Sequence, residues 1–293
     1  MPQLLYRTVT AEDGTALGSV LSGTTPPEVV FLNPMTMDHR YWLDVASLLG
    51  PGVSVVFVDQ RGSGSSGGSA TSAHPEGDLY VVLAAADANA SVLVATDMDA
   101  TSAFAAALEV PERVAQLVVL DPSLPELSDK DSPSKVEAAV EVRRRRMKDT
   151  MANLKETMAE MSEVVAPYFQ AIFLAREGED GREQVHTFVE AENPDASEAV
   201  QATLADMAWD HLRNHQDMRR IEFPAVASRL GEVEAAVTIG RVVEDELLDL
   251  VTDELSRRLP RARVRELAYR GSSPVSLEAP ELVAELVSEA LTG

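Results

Sequence analysis

The sequence contains no cysteine, which excludes disulfides, cysteine nucleophiles and thiolate metal sites while leaving the compartment open. It also lacks any apolar run near the roughly 18 residues that cross a bilayer. The first residues, MPQLLYRTVTAEDG, have neither the basic start nor the apolar core of a signal peptide, so a cytoplasmic protein is expected. Positive charge is scarce: 25 lysines and arginines stand against 48 aspartates and glutamates, a formal net charge of −23. Such a field repels nucleic acid and anionic lipid. The expected partner is a small molecule, uncharged or cationic, with neither nucleic acid nor membrane bound; the oligomeric state is left open. Lysine itself is nearly missing, 4 against 21 arginines, and isoleucine occurs 3 times among abundant alanine and valine, a bias that resembles high-GC actinobacterial coding. There is nevertheless enough apolar material for a core, since 293 residues with 45% hydrophobic content suit one large domain with an insertion, or two small ones.

Strand and helix signals alternate. Leu4 to Thr10 and Ala16 to Ser22 flank the turn dipeptide Asp13-Gly14 and predict a hairpin. Val29 to Leu32 and Val53 to Val58 are continuous β-branched and apolar runs, the pattern of strands covered on both faces, with helical spacing from Tyr41 to Leu49 between them. A helix around Asp78 to Ala88, a strand Ser91 to Val94, a helix Thr101 to Leu108 and a strand Ala115 to Leu120 follow. The pattern resumes with strand Ala235 to Ile239, helix Val242 to Arg258, strand Ala262 to Ala268 and helix Ala279 to Leu291. This order predicts an α/β fold with a doubly wound, mostly parallel sheet.

Composition shifts after Asp121. From Ser134 to Ala166 the spacing predicts one long charged helix, with Met147, Met151, Leu154, Met158 and Met161 on a single stripe. Helices are also expected over Pro167 to Ala175 and Ala196 to His211. The organisation expected is therefore a core over residues 1–128 and 222–293, interrupted by a helical cap over 129–221 that acts as a lid above the carboxyl ends of the strands.

Two short motifs are best read as loop. GSGSSG at Gly62 to Gly67 matches a dinucleotide fingerprint, and GSSGG at Gly64 to Gly68 matches a serine-hydrolase pattern. Both are followed by the loop formers of residues 68–75, where either function needs a helix. No metal-ligand cluster stands out and no cofactor is expected. Arg143 to Arg146 read as a solvated helix face.

The informative turn is Val92 to Phe104, a short apolar strand, a polar turn with Asp97 at its apex, and a small-residue helix. Together with VFLNPMTMDHRYW at Val30 to Trp42, VDQRGSGSS at Val58 to Ser66, PERVAQLVVLDP at Pro111 to Pro122 and LEAPE at Leu277 to Glu281, it resembles the α/β-hydrolase family; the first block is similar to enol-lactone hydrolases. The resemblance implies the α/β-hydrolase fold with a helical cap insertion. It also implies a degenerate triad. The five elbow places read Ala95, Thr96, Asp97, Met98 and Asp99, so aspartate replaces the nucleophilic serine, and Ser273 takes the place of the histidine. A valine stands where the triad acid follows the strand near Ile239, with Glu244 close by. The backbone N–H groups of Met35 and Met98 correspond to the family's oxyanion hole. Asp97 and Ser273 thus occupy catalytic places, and Asn33, Trp42, Asp99, Tyr168, Trp209 and His211 are expected to contact substrate. Asp99 sits where a tight elbow favours a small residue, which suggests a relaxed turn. A plain helix cap is the competing reading for Asp97 or Asp99.

Three functions follow from the resemblance. The leading one is a non-hydrolytic enzyme, a cyclase, lyase or carbon–carbon bond-forming or epoxide-opening catalyst, acting on a bulky apolar molecule in a polyketide-like or enediyne-like natural-product pathway. The second is an unusual hydrolase of an epoxide, halide or lactone in which Asp97 attacks or activates water and His211 supplies the base. The third is a catalytically dead ligand-binding or scaffold protein.

Overall fold

The structure is a computed structural model and describes residues 4–34, 37–68, 75–124, 179–214, 224–242, 246–269 and 274–293. Strands β1 (Leu4–Thr10) and β2 (Ala16–Ser22) form the predicted antiparallel hairpin. Its turn holds Gly14 at φ +85°, a backbone conformation that only glycine adopts without steric cost. Then come β3 (Val29–Leu32), β4 (Val55–Val58), β5 (Ser91–Thr96), β6 (Val114–Leu120), β7 (Ala236–Arg241) and β8 (Ala262–Glu266). They build one sheet in the order β1-β2-β4-β3-β5-β6-β7-β8, parallel from β4 onward, with β2 antiparallel to β4.

The apolar runs explain why the central strands are buried on both sides. Val29 and Phe31 point into one apolar cluster, Val30 and Leu32 into the other, and Val92 and Val94 alternate with Leu93 and Ala95 in the same way. One face is covered by helices α2 (Pro75–Ala85) and α3 (Ala100–Glu109), the other by α1 (Leu43–Leu48). Helices α4 (Glu179–Glu192) and α5 (Glu198–Asn214) fall within the insertion, and α6 (Glu246–Arg258), α7 (Val275–Glu278) and α8 (Pro280–Thr292) close the chain. Among the described residues no helix is long and apolar enough to cross a membrane.

Some element boundaries differ from the sequence expectation for local reasons. The helix expected over Tyr41 to Leu49 splits into a 3-10 turn, His39–Tyr41, and α1, because the Asp38 carboxylate accepts the Arg40 N–H and caps the turn. Helix α2 stops at Ala85 rather than Ala88, since Asp87 takes a left-handed conformation at φ +56°. Val242 stays outside α6: just past the end of β7, its N–H is held by the Asp121 carboxylate at 2.8 Å.

Of the insertion, the methionine-striped helix and the helix at Pro167 to Ala175 lie outside the described residues. The described pair packs against the core. Val185, Val189, Val200, Leu204 and Met207 join the apolar cluster that holds Trp42 and Val275. Arg40, in the loop after β3, pairs with Asp210 of α5 at 2.9 Å, and the Ser197 N–H donates to Glu278 Oε1 at 2.7 Å.

Candidate active site at the strand ends

Strand β5 ends at Thr96 in extended backbone, φ −133° and ψ 156°, and the chain then reverses in a single step. Asp97 is held at φ +49° and leads through a 3-10 turn, Asp97–Asp99, straight into α3. The expected relaxation of this turn is therefore corrected: a non-glycine residue in the left-handed region at a strand-to-helix turn is a strained elbow. The reason is packing. Ala100, Thr101, Ser102 and Ala103 are all buried against the sheet, and small residues there let α3 approach β5 closely enough to force the turn. Asp97 itself is exposed, presented at the apex.

Asp99 is accommodated by burial with a partner. Only 3% exposed, its carboxylate accepts a 2.5 Å hydrogen bond from Gln60 Nε2, which also donates to the Asn33 carbonyl at 3.0 Å. Although Asp99 is the N-terminal cap residue of α3, its side chain makes no capping hydrogen bond, so the helix-cap reading fails for Asp99. As a substrate contact, Asp99 is likewise displaced inward, beneath the surface that Asp97 occupies.

Gln60 belongs to the loop after β4, whose glycines wrap a buried carboxylate. Asp59 accepts from Asn33 Nδ2 at 2.6 Å and from both the N–H and the hydroxyl of Ser65, at 2.8 and 2.7 Å. Burial pushes the Asp59 carboxyl above its usual value, opposed by these donors and by the neighbouring His39. Ser66, the serine of the G-x-S-x-G match, is consumed structurally: its hydroxyl donates to the Asp59 carbonyl at 2.6 Å and accepts the Gly18 N–H at 2.7 Å.

A third layer lies below the elbow. Tyr41 is packed edge-on against Trp42, and the hydroxyls of Ser276 and Thr96 both face its phenol. Burial, reinforced by the charges of Asp99 and Asp97, pushes the phenol up to about 12 despite these two hydroxyls. Next to β5, Asp121 ends β6 at φ +41° and ties it to β7 through Val242, while the Ser123 N–H donates to the Asp97 carbonyl at 3.1 Å. The ends of β5, β6 and β7 are thus bound together through the Asp97 carbonyl and Asp121.

The expected substrate contacts divide. Trp42 is corrected to a core residue: it is fully buried, stacks near Phe31 and donates its indole N–H to the Leu32 carbonyl at 3.0 Å. Its size and its one polar atom are both satisfied inside. Asn33 is also fully buried, with its Nδ2 on Asp59 and its Oδ1 unpartnered. Trp209 is half-buried on α5 and packs on the apolar cluster of the α1 face, and His211, buried, sits 3.4 Å through Nδ1 from Ser63 Oγ in the loop after β4. Met98 follows Asp97 in the elbow. Met35, Tyr168, Ser273 and Glu244 lie outside the described residues. The other described histidines are His39, whose Nε2 meets the Tyr6 hydroxyl at 3.3 Å, and His186, paired with Glu190. Sequence reading missed Gln60, Tyr41, Ser276 and Asp121. Asp121 had a visible signal, an acidic residue ending an apolar strand before proline, whereas Tyr41 and Ser276 are joined only by the fold. An apolar groove lined by Leu4, Leu43, Ala46, Pro51, Val53 and Phe57 lies at the opposite end of the sheet and shares no residue with the elbow.

An eight-stranded sheet in this order, with a strained strand-to-helix elbow after β5, defines an α/β-hydrolase fold. The chain belongs to the alpha/beta hydrolase family, whose sequence profile matches residues 29–286. Solved structures agree on the fold. A hydrolase from Pseudomonas aeruginosa PA01 is 17% identical with a TM-score of 0.66, covering 98% of both chains. A thermophilic esterase from Thermogutta terrifontis is 17% identical with a TM-score of 0.64, covering 99% of this chain and 98% of its own. The epoxide hydrolase CorEH is 14% identical with a TM-score of 0.67, covering 99% of each. At such identities the likeness establishes the architecture. No curated protein sequence matches the chain.

Proposed function

We propose that this chain is a non-hydrolytic enzyme of the α/β-hydrolase fold, in which Asp97 transfers a proton to or from a bulky, largely apolar small molecule, or holds its hydroxyl, in a cyclisation, elimination, carbon–carbon bond-forming or ring-opening reaction. The observation that carries this reading is the elbow: the backbone strain at Asp97 is kept, with φ +49° and the carboxylate exposed at the apex. Strain of this kind persists where the surrounding fold enforces it, and it is concentrated at functional positions. A scaffold protein would have no use for it.

The chemistry of the surroundings supports a neutral or cationic substrate. Among the described residues near the strand ends, Arg40 is engaged with Asp38 and Asp210, Arg61 with Asp13 and Asp78, and Arg241 with Asp249 and Glu266. An anionic substrate would meet the negative charge of Asp97 and Asp99. The insertion serves as the lid, its described helices docked on the strand-end loops, and a natural-product substrate agrees with the composition. With serine at the family's histidine place, an ester formed on Asp97 would have no base in that position to release it, which favours proton transfer over covalent catalysis.

The test is Asp97→Asn, which keeps shape and tolerates the left-handed backbone while removing the charge. The fold should survive, and turnover of the true substrate should slow by a factor on the order of 10² to 10⁴. Simple aryl esters should show negligible turnover with the wild-type chain. Intact-mass spectrometry during turnover should detect no adduct; a stable adduct mapped to Asp97 would reject proton transfer. A second reading, hydrolysis by Asp97, is favoured by one specific feature, the buried His211 brought by α5 onto the loop after β4. It predicts that His211→Gln traps that adduct.

A further inference from the structure

The two edges of the sheet differ in kind. At one, β8 carries Arg263, Arg265 and Glu266, with Arg265 tied to Glu289 at 2.8 Å; charges of this sort keep an edge strand from pairing with another chain. At the other, β1 reads LLYRTVT, with Arg7 its only charge, no proline and an unbroken ladder to β2. The Gly18 N–H donates to Ser66 Oγ at 2.7 Å and the Gly18 carbonyl accepts the Asp59 N–H at 3.2 Å, both away from β1. Thr8, opposite Gly18, therefore turns its own N–H and carbonyl outward, and by alternation so do Leu4, Tyr6 and Thr10. The three large hydrophobic side chains exposed among the described residues gather at this edge: Leu5 at 42% and Tyr6 at 64% on β1, and Leu48 at 54% on α1. Leu4 and α1 also line the apolar groove that reaches Pro51 and Phe57. Residues 4–10 and 43–55 together hold one base, Arg7, and one acid, Asp44, so this patch is neutral on a chain of net charge −23.

We infer that β1 is an interface between two copies of this chain, paired antiparallel, edge to edge, about a two-fold axis at Tyr6. A strand paired antiparallel with its own copy uses the same residues on both sides, so a single free edge gives a closed dimer. Centring on Tyr6 pairs the outward backbone groups of Leu4, Tyr6 and Thr8, and brings the exposed Leu5 and Tyr6 against the second copy. It sets Leu5 opposite Arg7 of the partner subunit, whereas centring on Arg7 would oppose two like charges. Charge also selects the occupant. Two chains of net charge −23 repel, and the neutral patch is where they meet without setting carboxylate against carboxylate. A basic partner would be drawn to the acidic surfaces instead. One strand and its flanking groove make a small interface, which gives a reversible dimer.

Sedimentation equilibrium over a roughly hundredfold range of concentration, in about 200 mM sodium chloride to screen the net charge, reads the association directly. Wild type is expected to pass from monomer to dimer. Thr8→Pro removes an outward N–H that the ladder to β2 does not use, and Leu5→Lys sets a lysine against Arg7 across the joint while leaving that ladder intact. The two-fold repeats each change. The dimer dissociation constant should therefore rise roughly tenfold in Thr8→Pro and at least roughly threefold in Leu5→Lys. Circular dichroism on each variant identifies any loss of fold, and Leu5→Lys, at an exposed position, remains readable if Thr8→Pro does not fold. A wild type that stays monomeric throughout overturns the interface. So does a dimer whose dissociation constant is the same in the folded variants, since its contact then lies elsewhere.

Discussion

At the residue scale, the candidate site is a set of carboxylates in different environments. Asp97 is exposed on strained backbone, Asp99 is buried against an amide, and Asp59 is buried under three donors. Their surroundings divide accordingly: Asp97 is presented at the surface, and the other two order the loops around it. Asp59 gives a pH test with a definite sign. Its carboxyl titrates above the ordinary 3.8 in the folded state because burial disfavours the charge, so the folded protein holds that proton more tightly than the unfolded chain. Its contribution to stability is fully present below 3.8 and is lost as pH rises through the raised value. Urea unfolding of wild type and Asp59→Asn across that window should show their difference in stability changing with pH, the wild type losing ground as Asp59 ionises. A pH-independent difference would mean that Asp59 does not titrate there.

At the scale of elements, the loop after β4 shows how a short glycine motif can imitate a nucleotide site and be structural. Gly64 lies at φ +52°, and a Cβ placed there would stand 2.5 Å from the Asp59 carboxylate. The glycine therefore answers to an internal carboxylate. Gly64→Ala is expected to cost at least about 1–2 kcal/mol from the left-handed backbone alone, read as a lower urea midpoint. Because Gln60 in the same loop holds Asp99, hydrogen exchange should also quicken at the elbow. An unchanged midpoint would show that the loop is not clamped on Asp59. The hairpin and the central strands needed no such information: the turn dipeptide and the apolar runs specify them locally.

At the scale of the whole molecule, charge is the dominant feature. A net −23 on 293 residues places mutually repelling carboxylates over the surface, and compaction brings them closer. Raising sodium chloride from about 20 to about 200 mM, which shortens the screening length to below roughly 10 Å, should raise the melting temperature, by roughly 2–4 °C for each kcal/mol of repulsion removed in a chain of this size. A falling melting temperature would mean that the ion pairs of Arg40, Arg61 and Arg241 outweigh the general repulsion. The same field is one ground on which a neutral or cationic ligand is proposed.

The sequence by itself determined the hairpin, the order of strands and helices, and the turn at Asp97 between β5 and α3. These are written in local periodicity, turn residues and contiguous motifs, which need no knowledge of distant contacts. Tertiary structure alone decided that the elbow keeps its strain, because that depends on how closely α3 packs on β5. It alone moved Trp42 into the core and joined Gln60 to Asp99, 39 positions away. It also set Val275 and Tyr41 in one apolar cluster, across most of the chain. A hydrogen bond or a packed ring between residues so far apart leaves no trace in the pattern around either one, and only the closing of the sheet and its helices brings them within reach.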